Sequence, residues 1–162
     1  MRLCSITALT VLLGGIVHAH GETIVGKIVA VSDGDTITLL AERREIKIRV
    51  AGIDAPEKKQ SFGQRAKAAL SDCAYGKAAS VDWKKIDRYG RTIGKVLVEG
   101  TDCGLRQIEL GMAWHYKAYQ KEQSTDDRIA YAKAEIEAKE ARRGLWVEDS
   151  PVAPWDFRQA GR

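Results

Sequence analysis

The sequence predicts an α+β fold that is mainly β: a five-stranded barrel of the OB type carrying three helices. Two observations lead there. Strand-like runs come as a group of three and then a group of two, with one helical segment between the groups, and two further helical segments close the chain. Turn residues, Asp33-Gly34-Asp35 and Asp87-Arg88-Tyr89-Gly90, sit where such a plan needs its reversals.

Thr23 to Val31 is rich in β-branched residues and reads as the first strand. Thr36 to Leu40 is the second. From Glu45 to Val50, Ile46, Ile48 and Val50 alternate with Lys47 and Arg49, the period of a half-buried strand, so Arg49 faces away from the three aliphatic residues. Pro56 ends regular pairing. Ala66, Ala69, Leu70 and Cys73 recur at helical spacing, turning Cys73 toward the core, and Gly76 supplies the stop. Ser80 to Trp83 and Arg91 to Val98 are the fourth and fifth strands. Leu105, Ile108 and Met112 indicate a short helix capped by Asp102 or Thr101. In the last helix Ser124 and Asp127 have capping-box spacing, Ile129, Ala132 and Ile136 mark the apolar face, and Arg142-Arg143-Gly144 ends it. Trp146 and Trp155 are expected to pack the tail onto the body.

With 162 residues the chain can bury one real core but hardly two. Residues 20–162 are accordingly expected to form a single domain. Residues 1–19 read as a secretory signal peptide: Arg2, a largely apolar run to Val17, then Val17-His18-Ala19 with small side chains at the positions a signal peptidase reads. An uncleaved anchor is the alternative, disfavoured because the run is short for a membrane span. Cleavage after Ala19 leaves an exported protein, periplasmic or secreted, with no stable membrane association. It also leaves two cysteines, Cys73 and Cys103, for which a disulfide in an oxidising compartment is favoured over two separate buried thiols. The formal net charge of +4 is compatible with a polyanionic partner without requiring one.

Three acids and two arginines carry the chemistry. Asp35 opens the second strand, and Asp54 and Glu57 follow the third. Two carboxylates, a main-chain carbonyl and water suit a hard cation, Ca²⁺ or Mg²⁺, and no His/Cys cluster favours zinc. Arg49 and Arg91 add planar forks that match phosphate oxygens. A carboxylate near a bound water can act as general base. Singly, each of these has an ordinary reading: Asp-Gly-Asp as a turn, Asp54-Ala55-Pro56-Glu57 as a capped loop, Arg91 as a solvated strand end. Together, in one barrel and in this order, they suit phosphodiester hydrolysis.

Five runs then become recognisable: Val31-Ser32-Asp33-Gly34-Asp35-Thr36, Ile48 through Glu57, Asp87-Arg88-Tyr89-Gly90-Arg91, Leu110-Gly111-Met112-Ala113-Trp114, and Ala141-Arg142-Arg143-Gly144-Leu145-Trp146. In this order they resemble the staphylococcal-nuclease-like (thermonuclease) family from about Thr23 to the tail. The resemblance implies Asp35, Asp54 and the main-chain carbonyl of Ala55 as Ca²⁺ ligands, and Glu57 as the residue that activates water. It implies Arg49 and Arg91 on the scissile phosphate and Asp33 as a supporting residue of the metal loop. Tyr89, with Tyr116 or Tyr119, would flank the nucleotide. The implied substrates are DNA and RNA, cut with little sequence preference to leave 3′-phosphates. Ala55 stands where the best-known member has threonine, and the loop between Glu57 and Phe62 is shorter than that member's, which bears on substrate grip. His115, a lone histidine, is expected to be incidental to catalysis.

The competing readings are a non-catalytic OB-type nucleic-acid-binding module, disfavoured because no acid or arginine of the set is missing, and a structural ion that merely stabilises the barrel. Nothing in the sequence demands an oligomer, and a monomer is expected.

Overall fold

A computed structural model describes residues 22–161; the expected leader, Met1–Ala19, lies outside the described residues. Five long strands form the barrel: β1 (Glu22–Val31), β2 (Thr36–Ala41), β3 (Arg44–Val50), β5 (Ala78–Ile86) and β6 (Thr92–Val98). Pairing is antiparallel in the order β3-β2-β1-β5-β6, and a parallel β3–β6 ladder closes the ring. The inward positions of this ring, among them Ile28, Ile37, Leu39, Ile48, Val81 and Val96, are fully buried, which is the period-two pattern of the sequence realised in packing. The hairpin between β2 and β3 turns on Glu42 and Arg43, both with positive φ (47° and 67°), a conformation usually served by Asn-Gly. β5 runs past the expected Ser80–Trp83 at both ends.

Closure sets the geometry of one rim. Thr36 pairs with Arg49 across β2 and β3, and Arg49 pairs with Ile93 across β3 and β6. The residues just before β2 and β6, Asp35 and Arg91, therefore arrive beside Arg49 from either side. A two-residue strand, β4 (Ile53–Asp54), pairs with β8 (Trp114–His115) and fixes the backbone after β3. Ladders this short leave no periodicity in the sequence.

Helix α1 (Gly63–Ala74) lays Ala66, Leu70 and Ala74 on the barrel. Helix α2 (Cys103–Glu109), preceded by the short strand β7 (Thr101–Asp102), is capped by Asp102, whose carboxylate accepts from the Gly104 and Leu105 amides at 2.9 and 3.1 Å. Met112 lies beyond its end. Cys73 and Cys103 are joined in a disulfide with a Cα–Cα distance of 6.0 Å, which ties α1 to the start of α2. Closing a loop with a sequence separation of 30 residues corresponds to about 3–4 kcal/mol in the chain-entropy picture. Urea unfolding of the oxidised chain and of a Cys73→Ser/Cys103→Ser variant is expected to differ by that order, and coincident midpoints would contradict it.

Helix α3 (Thr125–Glu140) begins as expected, with Ser124 Oγ accepting from the Asp127 amide at 3.0 Å. Its buried face differs from the expected one. Ile129 and Ile136 are 60% and 55% exposed, and the buried residues are Tyr131, Ala134, Glu135 and Ala138. Polar anchors set the rotation of this helix: the Tyr131 hydroxyl donates to Asp102 at 2.9 Å, and Glu135 accepts from the His115 amide at 3.0 Å and pairs with Lys139 at 3.1 Å. Apolar periodicity could not report a face fixed by a tyrosine hydroxyl and a buried carboxylate.

After α3 the chain crosses Gly111. An added Cβ there would meet the Arg143 carbonyl at 2.1 Å, and one on Gly144 would meet the Gly111 carbonyl at 2.2 Å, so the two runs touch through bare backbone. The tail then forms a further helix, α4 (Pro154–Ala160), in addition to the three expected. Trp114 meets Trp146 and Trp155 edge-on, at 5.2 and 6.2 Å between ring centroids.

Candidate active site

The rim at the start of β2 and the end of β3 holds a buried knot of charge. Asp35 and Asp54 are buried, and Arg49 lies between them: one guanidinium nitrogen is 3.1 Å from Asp35 Oδ2 and 2.8 Å from Asp54 Oδ1. The other terminal nitrogen donates to the Val50 and Ile53 carbonyls, both at 3.0 Å. Arg49 is thus anchored to its own backbone and fixed in direction, which an ammonium could not reproduce.

Gly34 makes the approach of Asp35 possible. A Cβ at that position would lie 2.6 Å from the Ala55 Cβ and 2.7 Å from the Ala66 Cβ. The glycine of the Asp-Gly-Asp run is therefore required for space between the loop, the Asp54 segment and α1. The Ala55 amide donates to Asp35 Oδ2 at 2.8 Å, so the two acidic segments are tied directly. Asp33 accepts from the Asp35 amide at 3.2 Å and shapes the turn. Beneath it, the buried Gln107 of α2 donates to the Gly34 and Ala66 carbonyls at 2.7 and 2.9 Å.

Burial pushes the Asp35 carboxyl up from 3.8 to about 6; Arg49 and the Ala55 amide oppose the rise, and the neighbouring charges of Asp33 and Asp54 add to it. Desolvation is the largest of these effects, and the attraction of Arg49 is the largest that opposes it. Among the described residues no group of three or more His, Cys, Asp or Glu side chains is gathered to hold a metal. What the rim offers is two convergent carboxylates, Asp35 and Asp54, with the Ala55 carbonyl next in the chain. An all-oxygen donor set of that kind fits a hard cation completed by water.

Glu57 lies at the exposed edge of the same knot and accepts from Arg158 at 2.8 Å. Arg158 belongs to α4. It donates to Asp54 Oδ2 at 2.8 Å and Oδ1 at 3.3 Å, so one guanidinium spans Asp54 and Glu57. The sequence carried no signal for this residue: it is one tail arginine, 104 positions from Asp54.

Arg91 and Tyr89 line the same cleft, about 1100 Å³ in volume, but form a separate group. Asp87 holds Arg91 Nε at 2.8 Å and also accepts from the Arg91 and Tyr89 amides, both at 2.9 Å. Burial alone would raise the Asp87 carboxyl, and these hydrogen bonds outweigh it and hold it low. The exposed Tyr89 ring faces two guanidinium groups, Arg88 at 4.9 Å and Arg91 at 5.4 Å from its centroid. Across the cleft, Tyr116 stacks on Trp155 at 5.6 Å and meets Tyr119 edge-on at 5.2 Å, and Lys85 sits 5.0 Å over the Tyr119 ring. Both tyrosines left open by the sequence thus line the cleft. His115 is buried, 2.8 Å from the Gln123 amide oxygen, in a structural position.

Residues 47–148 match the family model described as staphylococcal nuclease homologue. A micrococcal nuclease of Shigella flexneri is 38% identical over 146 residues, covering 85% of this chain and 82% of that protein. An uncharacterized endonuclease of Haemophilus influenzae is 40% identical over 134 residues, covering 82% and 72%. A probable staphylococcal-like nuclease of Oryza sativa subsp. japonica is 38% identical over 119 residues, covering 74% of this chain and 34% of the plant protein. The barrel, the rim chemistry and these likenesses agree: the chain belongs to the staphylococcal nuclease family of phosphodiester-hydrolysing nucleases.

Proposed function

We propose that this chain is a Ca²⁺-dependent, sugar-nonspecific nuclease that hydrolyses DNA and RNA and leaves 3′-phosphates. The observation that carries the reading is the convergence of Asp35 and Asp54 on one guanidinium nitrogen of Arg49, at 3.1 and 2.8 Å, with Glu57 at the open edge. Asp35, Asp54 and the Ala55 carbonyl would hold the cation, and when bound it supplies Lewis acidity and a template for phosphoryl oxygens. Arg49, held through one terminal nitrogen by two carbonyls, would offer its other N–H groups to a phosphate once the cation takes up the two carboxylates. Arg91, steered by Asp87, approaches from the neighbouring strand and adds a second fork. The two guanidiniums neutralise charge on the phosphoryl oxygens as a fifth oxygen arrives. Glu57 takes the proton of the attacking water. Tyr89 on one wall and Tyr116 on the other offer faces for the nucleotide.

Replacing Glu57 by glutamine is expected to lower the Ca²⁺-dependent cleavage rate of single-stranded DNA by about 10²–10⁴-fold with little change in melting temperature, because the side chain sits at the open edge. Undiminished cleavage by that variant, measured by release of acid-soluble nucleotides, would rule out the assigned base.

The same reading includes export. Residues 1–19 would be removed, and the mature chain would act as a monomer in the periplasm or outside the cell. Among the described residues no helix is long and apolar enough to cross a membrane.

A further inference from the structure

Asp54 carries two guanidinium groups, and they are held differently. Arg49 is locked from behind by the Val50 and Ile53 carbonyls and is 14% exposed. Arg158 is 39% exposed, and its bonds at the site go to carboxylates alone: Asp54 Oδ2 at 2.8 Å, Asp54 Oδ1 at 3.3 Å and Glu57 Oε1 at 2.8 Å. Its helix, α4, is seven residues long and has no side-chain N-cap. It is held on the body by Trp155, which stacks on Tyr116 at 5.6 Å with an interplanar angle of 11° and meets Trp114 edge-on, by the buried Ala153 beside Trp114 and Leu145, and by the Gln60 side chain donating to the Val152 carbonyl.

The charges make the consequence specific. Asp35, Asp54 and Glu57 bring three negative charges to the knot, and Arg49 and Arg158 return two. With Arg49 on Asp54 Oδ1 and Arg158 on both oxygens, a further cation at Asp54 meets a guanidinium at either oxygen. A divalent ion ligated by Asp54 therefore competes with, and is repelled by, the two guanidiniums. Arg158 is the one whose release costs no buried carbonyl a partner.

We propose that Arg158 is a built-in counter-cation of the metal site: it pairs with Asp54 and Glu57 when no divalent ion is bound, and the ion displaces it from Asp54 on entry. The proposal rests on the assignment of Asp35 and Asp54 as cation ligands. It makes the tail helix a determinant of metal affinity, in two linked effects. Arg158 stabilises the metal-free rim, because it pairs a buried carboxylate that would otherwise face Arg49 alone. By the same contact it weakens metal binding, since the ion must first compete with the guanidinium for Asp54. Displacement also frees Glu57 from its ion pair, so entry of the ion and release of the water-activating carboxylate are coupled.

Calcium titration by isothermal calorimetry, together with melting temperatures in chelator and in saturating Ca²⁺, tests this on the full chain. Arg158→Gln is expected to bind Ca²⁺ roughly five- to twentyfold more tightly than the unaltered protein. It should melt at a lower temperature in chelator and gain more from Ca²⁺. Arg158→Lys, which keeps the charge without the fork, should fall between the two. Equal or weaker Ca²⁺ binding by Arg158→Gln overturns the proposal. Unchanged Ca²⁺ affinity with weakened binding of single-stranded DNA would instead make Arg158 a phosphate contact. Calcium binding to neither protein would sink the cation assignment itself, an outcome distinct from equal binding to both.

Discussion

Lysine in place of Arg49 is expected to lower the metal-dependent cleavage rate at least about a hundredfold, the loss typical of removing one preorganised donor from a developing anion. The size follows from how Arg49 is held. One nitrogen is committed to two backbone carbonyls at 3.0 Å and the other is aimed between Asp35 and Asp54. An ammonium is a single point of charge; it can satisfy the carbonyls or reach toward the carboxylates and phosphate, but it cannot present a planar fork while doing the first. The defect should appear in kcat more than in KM, because the fork matters most once charge has built up on the phosphoryl oxygens. Arg91→Lys should lose rate in the same direction. Single-turnover cleavage of an oligonucleotide is the direct readout, and a lysine variant within about threefold of the unaltered protein would show that bidentate contact is not being used.

Asparagine at Asp35 should move stability and metal binding in opposite directions. Burial raises this carboxyl to about 6 from 3.8, so the folded chain holds the proton more tightly than the unfolded chain does. The sign follows from linkage: this group favours the fold most below about pH 4, loses that contribution as pH rises toward 6, and above that its ionised form is a cost on the order of 3 kcal/mol. Asp35→Asn removes the cost and keeps an oxygen that can accept from the Ala55 amide. The metal-free variant should therefore melt higher than the unaltered chain at pH 8 and nearly with it at pH 4. The same variant loses a hard anionic ligand, so its Ca²⁺ affinity should fall by more than about tenfold. A metal-free Asp35→Asn that melts lower at pH 8 would contradict the electrostatic account of the rim.

Much of the barrel was readable from residue patterns, because its strands bury one face each: Ile46, Ile48 and Val50 announced β3 by alternation alone. The rim acids were readable because the turn run Asp33-Gly34-Asp35 and the segment through Glu57 are contiguous in sequence. What escaped reading had non-local or polar causes. The rotation of α3 depends on Tyr131 and Glu135 finding Asp102 and His115, so the exposed Ile129 and Ile136 misled. The β4–β8 pair is two residues long on each side and leaves no period. Gln107 reaches back 73 positions to the Gly34 carbonyl, a contact that no local pattern encodes. Arg158 is the sharpest case, because its meaning exists only once Trp155 has docked the tail on Tyr116.

In the function proposed, the Asp35–Asp54 rim holds a cation that works with Arg49 and Arg91 on a phosphodiester. Incubating the purified mature chain with single-stranded DNA and with RNA, in Ca²⁺ or in chelator, and identifying the product ends tests it most directly. Cleavage of both polymers in Ca²⁺ only, with 3′-phosphate ends, is the expected result. Cleavage that persists in chelator, or no cleavage in any divalent cation, would contradict it.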